Sequence, residues 1–363
     1  MEKEYGKIDL SMVADFTDAH APSGAERNAS RVMKKYLDGY VDEIMYDNLG
    51  SIIGLKKGSG NGPKLMIMGH IDEIGFVITK IEDNGFLRFA PLGGWWGHVL
   101  PAKRLVINTR DGKEIIGMVG NMAPHGLKPE VRNKVQSLDE MFIDLGVNNK
   151  EEVAEIGVRV GDFITPDTKF EVMNNPNFLM AKAWDDRVGA LIATEVVRKL
   201  QGQKHECDVY AVGSVQEEVG LRGAKTATHL VNPDVAFAID VTIGDDTPGA
   251  KNNTKLGVGV TLGLKDSSVL SHRGLFNCVS DLCEEMKIAT QVDTLVAGGT
   301  DSGEIHKAYN GVVNMTLSIP TRYIHSHRGV LHRKDYVDTV NLLVEFAKRL
   351  DNKLYQELQI ANR

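Results

Sequence analysis

Cysteine is scarce in this chain, three among 363 residues: Cys207, Cys278 and Cys283. An odd number without Cys-x-x-Cys spacing argues against a disulfide framework and against a thiolate zinc site. Aromatic residues are also few, at 6%, which leaves little for stacking sugars or bases. An excess of basic charge is missing: 42 Lys and Arg stand against 49 Asp and Glu, a formal net charge of −7. Nucleic acid needs a basic face, so none is expected as a partner. No apolar run reaches the roughly 18–20 residues of a membrane helix, so no membrane partner is expected. The opening MEKEYGKIDL has no apolar stretch of the kind a secretory leader carries, and the cytoplasm is the expected compartment. Glycine, by contrast, is plentiful, with 37 residues. That supplies tight turns and close backbone approaches, the material of sites built on loops. With 11 His and 49 acidic residues, any metal site must be made of nitrogen and oxygen.

The hydrophobic period divides the chain. Up to about residue 40 it is helical: VADFTDAH capped by Asp9 or Ser11, then ERNASRVMKKYLDGY, with Ser23 and Glu26 as a partial capping box. VDEIMYD and GSIIGLKKG read as a hairpin, and KLMIMGHI as a strand buried on both faces. From about residue 73 to 172 the pattern is short strand-like runs broken by Gly, Pro, Asn and Asp, with helical period only in SLDEMFIDLG and NKEEVAEIG. After that, strands and amphipathic helices alternate, ending in HRKDYVDTVNLLVEFAKRLDNKLYQ, read as one long helix. The expected fold is α/β: a mixed, largely parallel central sheet flanked by helices, with a small β-barrel-like domain inserted. Residues 1–72 and 173–363 would form the α/β catalytic domain, and 73–172 the insert.

Five places put His, Asp or Glu where a strand ends: His70 and Asp72, Asp185 and Asp186, Glu217 and Glu218, Asp240, and His325. In an open α/β sheet, ligands gather beyond the carboxyl ends of the strands. Each residue has a plain reading. His70 is an ordinary hydrogen-bonded histidine; Asp185 and Asp186 complement a helix dipole; Glu217 and Glu218 are solvated loop charges. Taken jointly they fit a two-metal site better, because one Asp offers two oxygens and adjacent buried carboxylates repel unless a cation lies between them. His70 and Asp240 could serve one ion, Glu218 and His325 the other, with Asp185 bridging. Asp72 would orient His70, and Glu217 would be left free as a general base.

GHIDEIG, KAWDDR, QEEVGLRGA, AGGTDSG and RYIHSH, in that order, resemble the di-metal glutamyl and tetrahedral (TET) aminopeptidases over nearly the whole chain. The resemblance implies the same ligand set, Glu217 as base and Asp72 behind His70. It implies an insert used in subunit contacts and a homo-oligomer between a dimer and a dodecamer. The implied activity is removal of the N-terminal residue from short peptides, with two divalent ions per subunit. The nitrogen and oxygen donors suit Zn²⁺, and also Co²⁺ or Mn²⁺. A competing reading is glycoside hydrolysis by paired carboxylates, which has no use for His70 or His325. GGWWGH, holding Trp95, Trp96 and His98, reads as local core or as a subunit contact.

Overall fold

The computed structural model describes residues 5–251 and 253–362. Strands Asp208–Ser214, Lys64–His70, Val235–Ile243 and Val313–Arg322 lie side by side in parallel and form the middle of an 11-stranded sheet. Successive residues of these strands serve opposite faces. Leu65 and Ile67 join one apolar core, Met66 and Met68 the other; Val209 and Ala211 divide from Tyr210 and Val212 in the same way. Two cores require covering on both sides, which is why these strands read as unbroken apolar runs. Helices Leu10–Asp18, Arg27–Leu37, Trp184–Lys199 and Arg333–Arg349 contribute to the larger core, and Arg222–Val231 with Ser302–Ile305 to the smaller. The antiparallel hairpin Glu43–Tyr46 with Ile52–Lys56 edges one side of the sheet. The expected mixed, largely parallel sheet is therefore present.

Between strand Lys64–His70 and the short strand Glu171–Val172, which pairs with Phe178–Ala181 at the far edge, the chain leaves the sheet. Strands Gly75–Ile81, Leu87–Leu92, Phe142–Asp144, Glu114–Gly120, Arg104–Asn108 and Phe163–Pro166 close, in that order, into an antiparallel barrel. Its interior is apolar: Phe76, Ile78, Leu87, Leu105, Ile107, Val119, Ile143 and Ile164 are buried there. Closure removes the exposed edges that such short strands would otherwise present.

Three local expectations fail. SLDEMFIDLG is not helical beyond one 3₁₀ turn at Leu138–Glu140; Phe142–Asp144 is a barrel strand. Its apolar residues satisfy either period, and pairing with two barrel strands decides the matter. The closing helix is two, Arg333–Arg349 and Asn352–Ile360; the Asp351 carboxylate accepts from the Leu354 amide and starts the second. Ser23 caps nothing, since helix Arg27–Leu37 starts at Glu26 without a side-chain cap. The Ser23 hydroxyl instead donates to Asp72 at 2.6 Å.

Candidate active site

Parallel strands place their last residues along one edge of the sheet. His70 ends its strand beside Ser214, whereas Asp240, expected at a strand end, lies opposite Ser318 three residues before the end of Val235–Ile243. Helix Trp184–Lys199 approaches this edge closely enough that a Cβ on Gly69 would overlap the backbone of Gly189. Only glycine permits that approach, and it seats Asp185 and Asp186 against His70. Neither aspartate is helical: their φ/ψ angles are −80/105° and −120/45°.

The seven residues expected at a site come together here. His70 Nε2 lies 3.1 Å from Asp185 Oδ1 and 3.7 Å from Glu217 Oε2. His325 Nε2 faces the other oxygen of Asp185 at 3.3 Å and Glu218 Oε2 at 3.6 Å. Atoms of His70, Asp185 and Glu218 fall within 4.8 Å of one another, and so do atoms of His70, Glu217 and Asp240. Asp72 reaches His70 Nδ1 at 3.4 Å. It also accepts from the Glu217 and Glu218 amides at 3.1 and 3.3 Å, so one carboxylate ties the His70 strand to the Glu217–Glu218 loop.

Both imidazoles have their orientation set from behind. His325 Nδ1–H donates to the Gly94 carbonyl at 2.6 Å, and His70 Nδ1–H to the Asp72 carbonyl at 3.2 Å. In the neutral ring this leaves the Nε2 lone pair aimed at carboxylate oxygens. Lone pair against anion is repulsive unless a proton or a cation lies between. The titration behaviour expresses the same conflict. Burial raises Glu217 and Asp240 well above the carboxylate range, and neighbouring acids add to it. Burial and Asp185 bring Glu218 to about 8. Burial works against a charged His70, yet Glu217, Asp185 and Asp72 hold it well above its ordinary value. His325 rises to about 10, chiefly through its hydrogen bond to Asp185. Asp185 and Asp72 are depressed: burial opposes both charges, but hydrogen bonds from His325 and His70 outweigh it at Asp185, and His70 and Ser23 outweigh it at Asp72. Glu218 Oε1 is buried with no hydrogen-bond partner. Converging carboxylates, two bare imidazole nitrogens and an orphaned oxygen are the donor set that a divalent cation satisfies.

Other residues at this edge receive no site role from the sequence: Asp186 is named only beside Asp185, and Asp301 and Glu26 are not named as site residues. Asp186 accepts from the His70 amide at 3.1 Å and from the Gly189 amide at 3.0 Å, serving both strand and helix. Asp301, within AGGTDSG, is buried, accepts from the Ser214 hydroxyl and is raised to about 6 by burial. An acid in a glycine-rich loop after a strand was the available signal. Glu26 is buried, accepts from the Gly24 and Gln216 amides at 2.6 and 3.1 Å, and is pushed to about 7 by burial. Behind the cluster Glu73 pairs with Lys182 at 2.6 Å and Arg187 at 3.4 Å, all three fully buried. Non-glycine residues with left-handed backbone mark three of the site loops: Ala183 at φ 54°, Gln216 at 56° and His325 at 54°. Each costs about 1–3 kcal/mol, a strain that clusters at functional sites.

His327, two residues beyond His325, points elsewhere. It is buried against Trp95, with ring centroids 5.9 Å apart. Trp95 stacks on Phe76 of the barrel at 4.8 Å, whereas Trp96 is 61% exposed.

The chain matches other proteins over nearly its full length. It is 34% identical over 351 residues to the glutamyl aminopeptidase of Lactococcus lactis subsp. cremoris, covering 96% of this chain and 98% of that one. A TET aminopeptidase structure from Thaumarchaeota archaeon SCGC AB-539-E09 superposes with a TM-score of 0.93 at 39% identity, covering 96% and 99%. The Pyrococcus horikoshii TET1 peptidase, which can assemble into a tetrahedron or a large octahedral shell, superposes with a TM-score of 0.84 at 30% identity, covering 94% and 99%. The family model for M42 glutamyl aminopeptidases matches residues 50–342, a span that includes every residue of the cluster, and the chain accordingly belongs to the M42 glutamyl aminopeptidase family and is an aminopeptidase.

Proposed function

We propose that the cluster holds two divalent cations and that the enzyme removes the N-terminal residue from short peptides. One observation carries the reading. Two imidazoles, each with Nδ1 committed to a backbone carbonyl, turn Nε2 onto opposite oxygens of Asp185, at 3.1 and 3.3 Å. That is the donor pattern of a carboxylate shared by two cations. His70 and Asp240 would complete one set, Glu218 and His325 the other, and the donors suit Zn²⁺ or Co²⁺, and also Mn²⁺. When bound, such ions polarise the scissile carbonyl and acidify water.

The chain's own groups do the rest. Glu217 stands beside the ligands, and burial keeps its proton affinity high. It takes the proton from the attacking water at its carboxylate and returns it to the leaving amine. Asp72 fixes the two glutamate amides and the rear of His70, so base and ligand hold separate directions. The free amine of the peptide, a cation, is drawn to the acids of the floor. Glycoside hydrolysis by two carboxylates would leave the paired imidazoles without a role.

The test separates the adjacent glutamates. Glu217→Gln should lower kcat by about 10²- to 10⁴-fold, the usual loss with a general base, while metal content stays at the parent level. Glu218→Gln should lose metal, with activity partly restored by excess ion. Metal content by mass spectrometry beside kcat decides, and the opposite pattern reverses the two roles.

The barrel, as an inserted domain spanning residues 73–172, is proposed to carry subunit contacts in a cytoplasmic homo-oligomer between a dimer and a dodecamer. Its outer surface exposes Ile116, Met118 and Met122, and a related peptidase forms closed shells. Light scattering at micromolar protein with excess metal should give an oligomer; a monomer counts against this role.

A further inference from the structure

Beside His325, outside the carboxylate cluster, lies a cleft of about 810 Å³ between the barrel segment 94–103 and the loop 323–328. Its chemistry is the inverse of its neighbour's. No Asp or Glu lines it among the described residues, while Lys103 and Arg328 do, flanked by Trp95 and Trp96. His327 also lines it, only 8% exposed, with both ring nitrogens lacking any hydrogen-bond partner. An orphaned polar group on a cleft wall points to a ligand that supplies the partner.

We propose that this cleft binds a carboxylate of the peptide on the leaving side of the scissile bond. Lys103 and Arg328 supply the charge, a His327 ring N–H donates, and the Trp95 and Trp96 rings pack on the intervening chain. The inference rests on the aminopeptidase reading. Charge sets the direction: the peptide's ammonium is drawn to the acids and repelled by the cationic cleft, so its other end lies there. The carboxylate has two sources, the chain terminus of a very short peptide or an acidic side chain just after the cleaved bond.

Three substrate pairs distinguish them with the metal-loaded protein: Leu-Gly against Leu-Gly amide, Leu-Glu amide against Leu-Gln amide, and Glu- against Gln-p-nitroanilide. The first or second pair should favour the acid in kcat/KM. That ratio should fall about 10-fold or more in Lys103→Gln/Arg328→Gln, as expected when a charged hydrogen bond is lost. A preference confined to the p-nitroanilide pair, or a ratio the double variant leaves unchanged, overturns the proposal. Binding is read separately from catalysis. Trp184 is buried in the core, so fluorescence changes report Trp95 and Trp96. N-acetyl-phenylalanine should quench saturably, its amide should not, and the double variant should lose the difference. A protein that binds the acid but cleaves no peptide keeps the cleft and defeats the peptidase reading. One that cleaves peptides but shows no acid preference does the reverse.

Discussion

The barrel and the carboxyl edge of the sheet are buried to similar depth with opposite contents. Inside the barrel, Phe76, Leu87, Leu105, Ile107, Ile143 and Ile164 pack in one buried apolar cluster. At the sheet edge, His70, Asp72, Glu73, Asp186, Asp240 and Asp301 are each no more than 6% exposed. Burial stabilises the first, at roughly 25 cal/mol per Å² of apolar surface. It works against the second, because removing a charge from water costs more than any single neighbour returns. The two apolar cores around the parallel strands must carry that cost. A buried cluster whose like charges do not cancel works against stability, and the proposed cations would offset that cost.

The largest expected effect breaks the balance behind the site. Glu73 neutralises Lys182 and Arg187, and burial already brings Lys182 down to about 8. Glu73→Gln should cost about 3–5 kcal/mol of stability in urea titration, as when one partner of a buried ion pair is removed. A loss below about 1 kcal/mol would show that water reaches this triad. In the barrel the comparable change is apolar. Ile143→Ala should cost about 3 kcal/mol through the cavity it leaves. Metal affinity, measured by titration calorimetry, should be unchanged; a shift would mean that barrel and site are coupled.

A smaller effect has a distinctive sign. Without metal, the folded protein holds Glu218 at about 8 and Asp301 at about 6, both above their unfolded values. A group whose folded pKa is raised binds more protons in the folded state, so its stabilisation is full at low pH and lost as pH rises. For Glu218 that window runs from the ordinary carboxylate value to about 8. Between pH 5.5 and 7.0 Glu218 by itself should take about 2 kcal/mol from the chelated protein, one proton at about 1.4 kcal/mol per pH unit, read as the difference from Glu218→Gln. With metal the slope should reverse, because protons compete with the ion for the same oxygens. The measurement is Tm against pH with and without chelator. A chelated protein that gains stability over this range contradicts the burial of an uncompensated cluster.

Much of this was legible along the chain. KLMIMGH and VAFAID are continuous apolar runs ending in a ligand-type residue, which is how a two-faced parallel strand delivering a side chain to the sheet edge must look. The barrel strands showed as short runs between turn residues. Phe142–Asp144 was hidden because three residues are too few to display a period, and the break after Arg349 because apolar residues continue past it in helical register. Asp186 resembled a redundant neighbour of Asp185, since nothing in WDDR reveals that the two carboxylates diverge.

The sequence by itself determined the alternation of strand and helix, the N/O character of the site and the identity of its charged residues, because periodicity and composition are local properties. Tertiary structure alone decided which oxygen faces which nitrogen. It set Ala183, Gln216 and His325 in left-handed backbone and moved Ser23 from a helix cap to Asp72. It brought Lys103 of the barrel segment and Arg328 of the loop together in one cleft beside His325. These depend on contacts between residues tens to hundreds of positions apart, Gly94 with His325 across 231 residues among them, and no local property of the chain encodes such contacts.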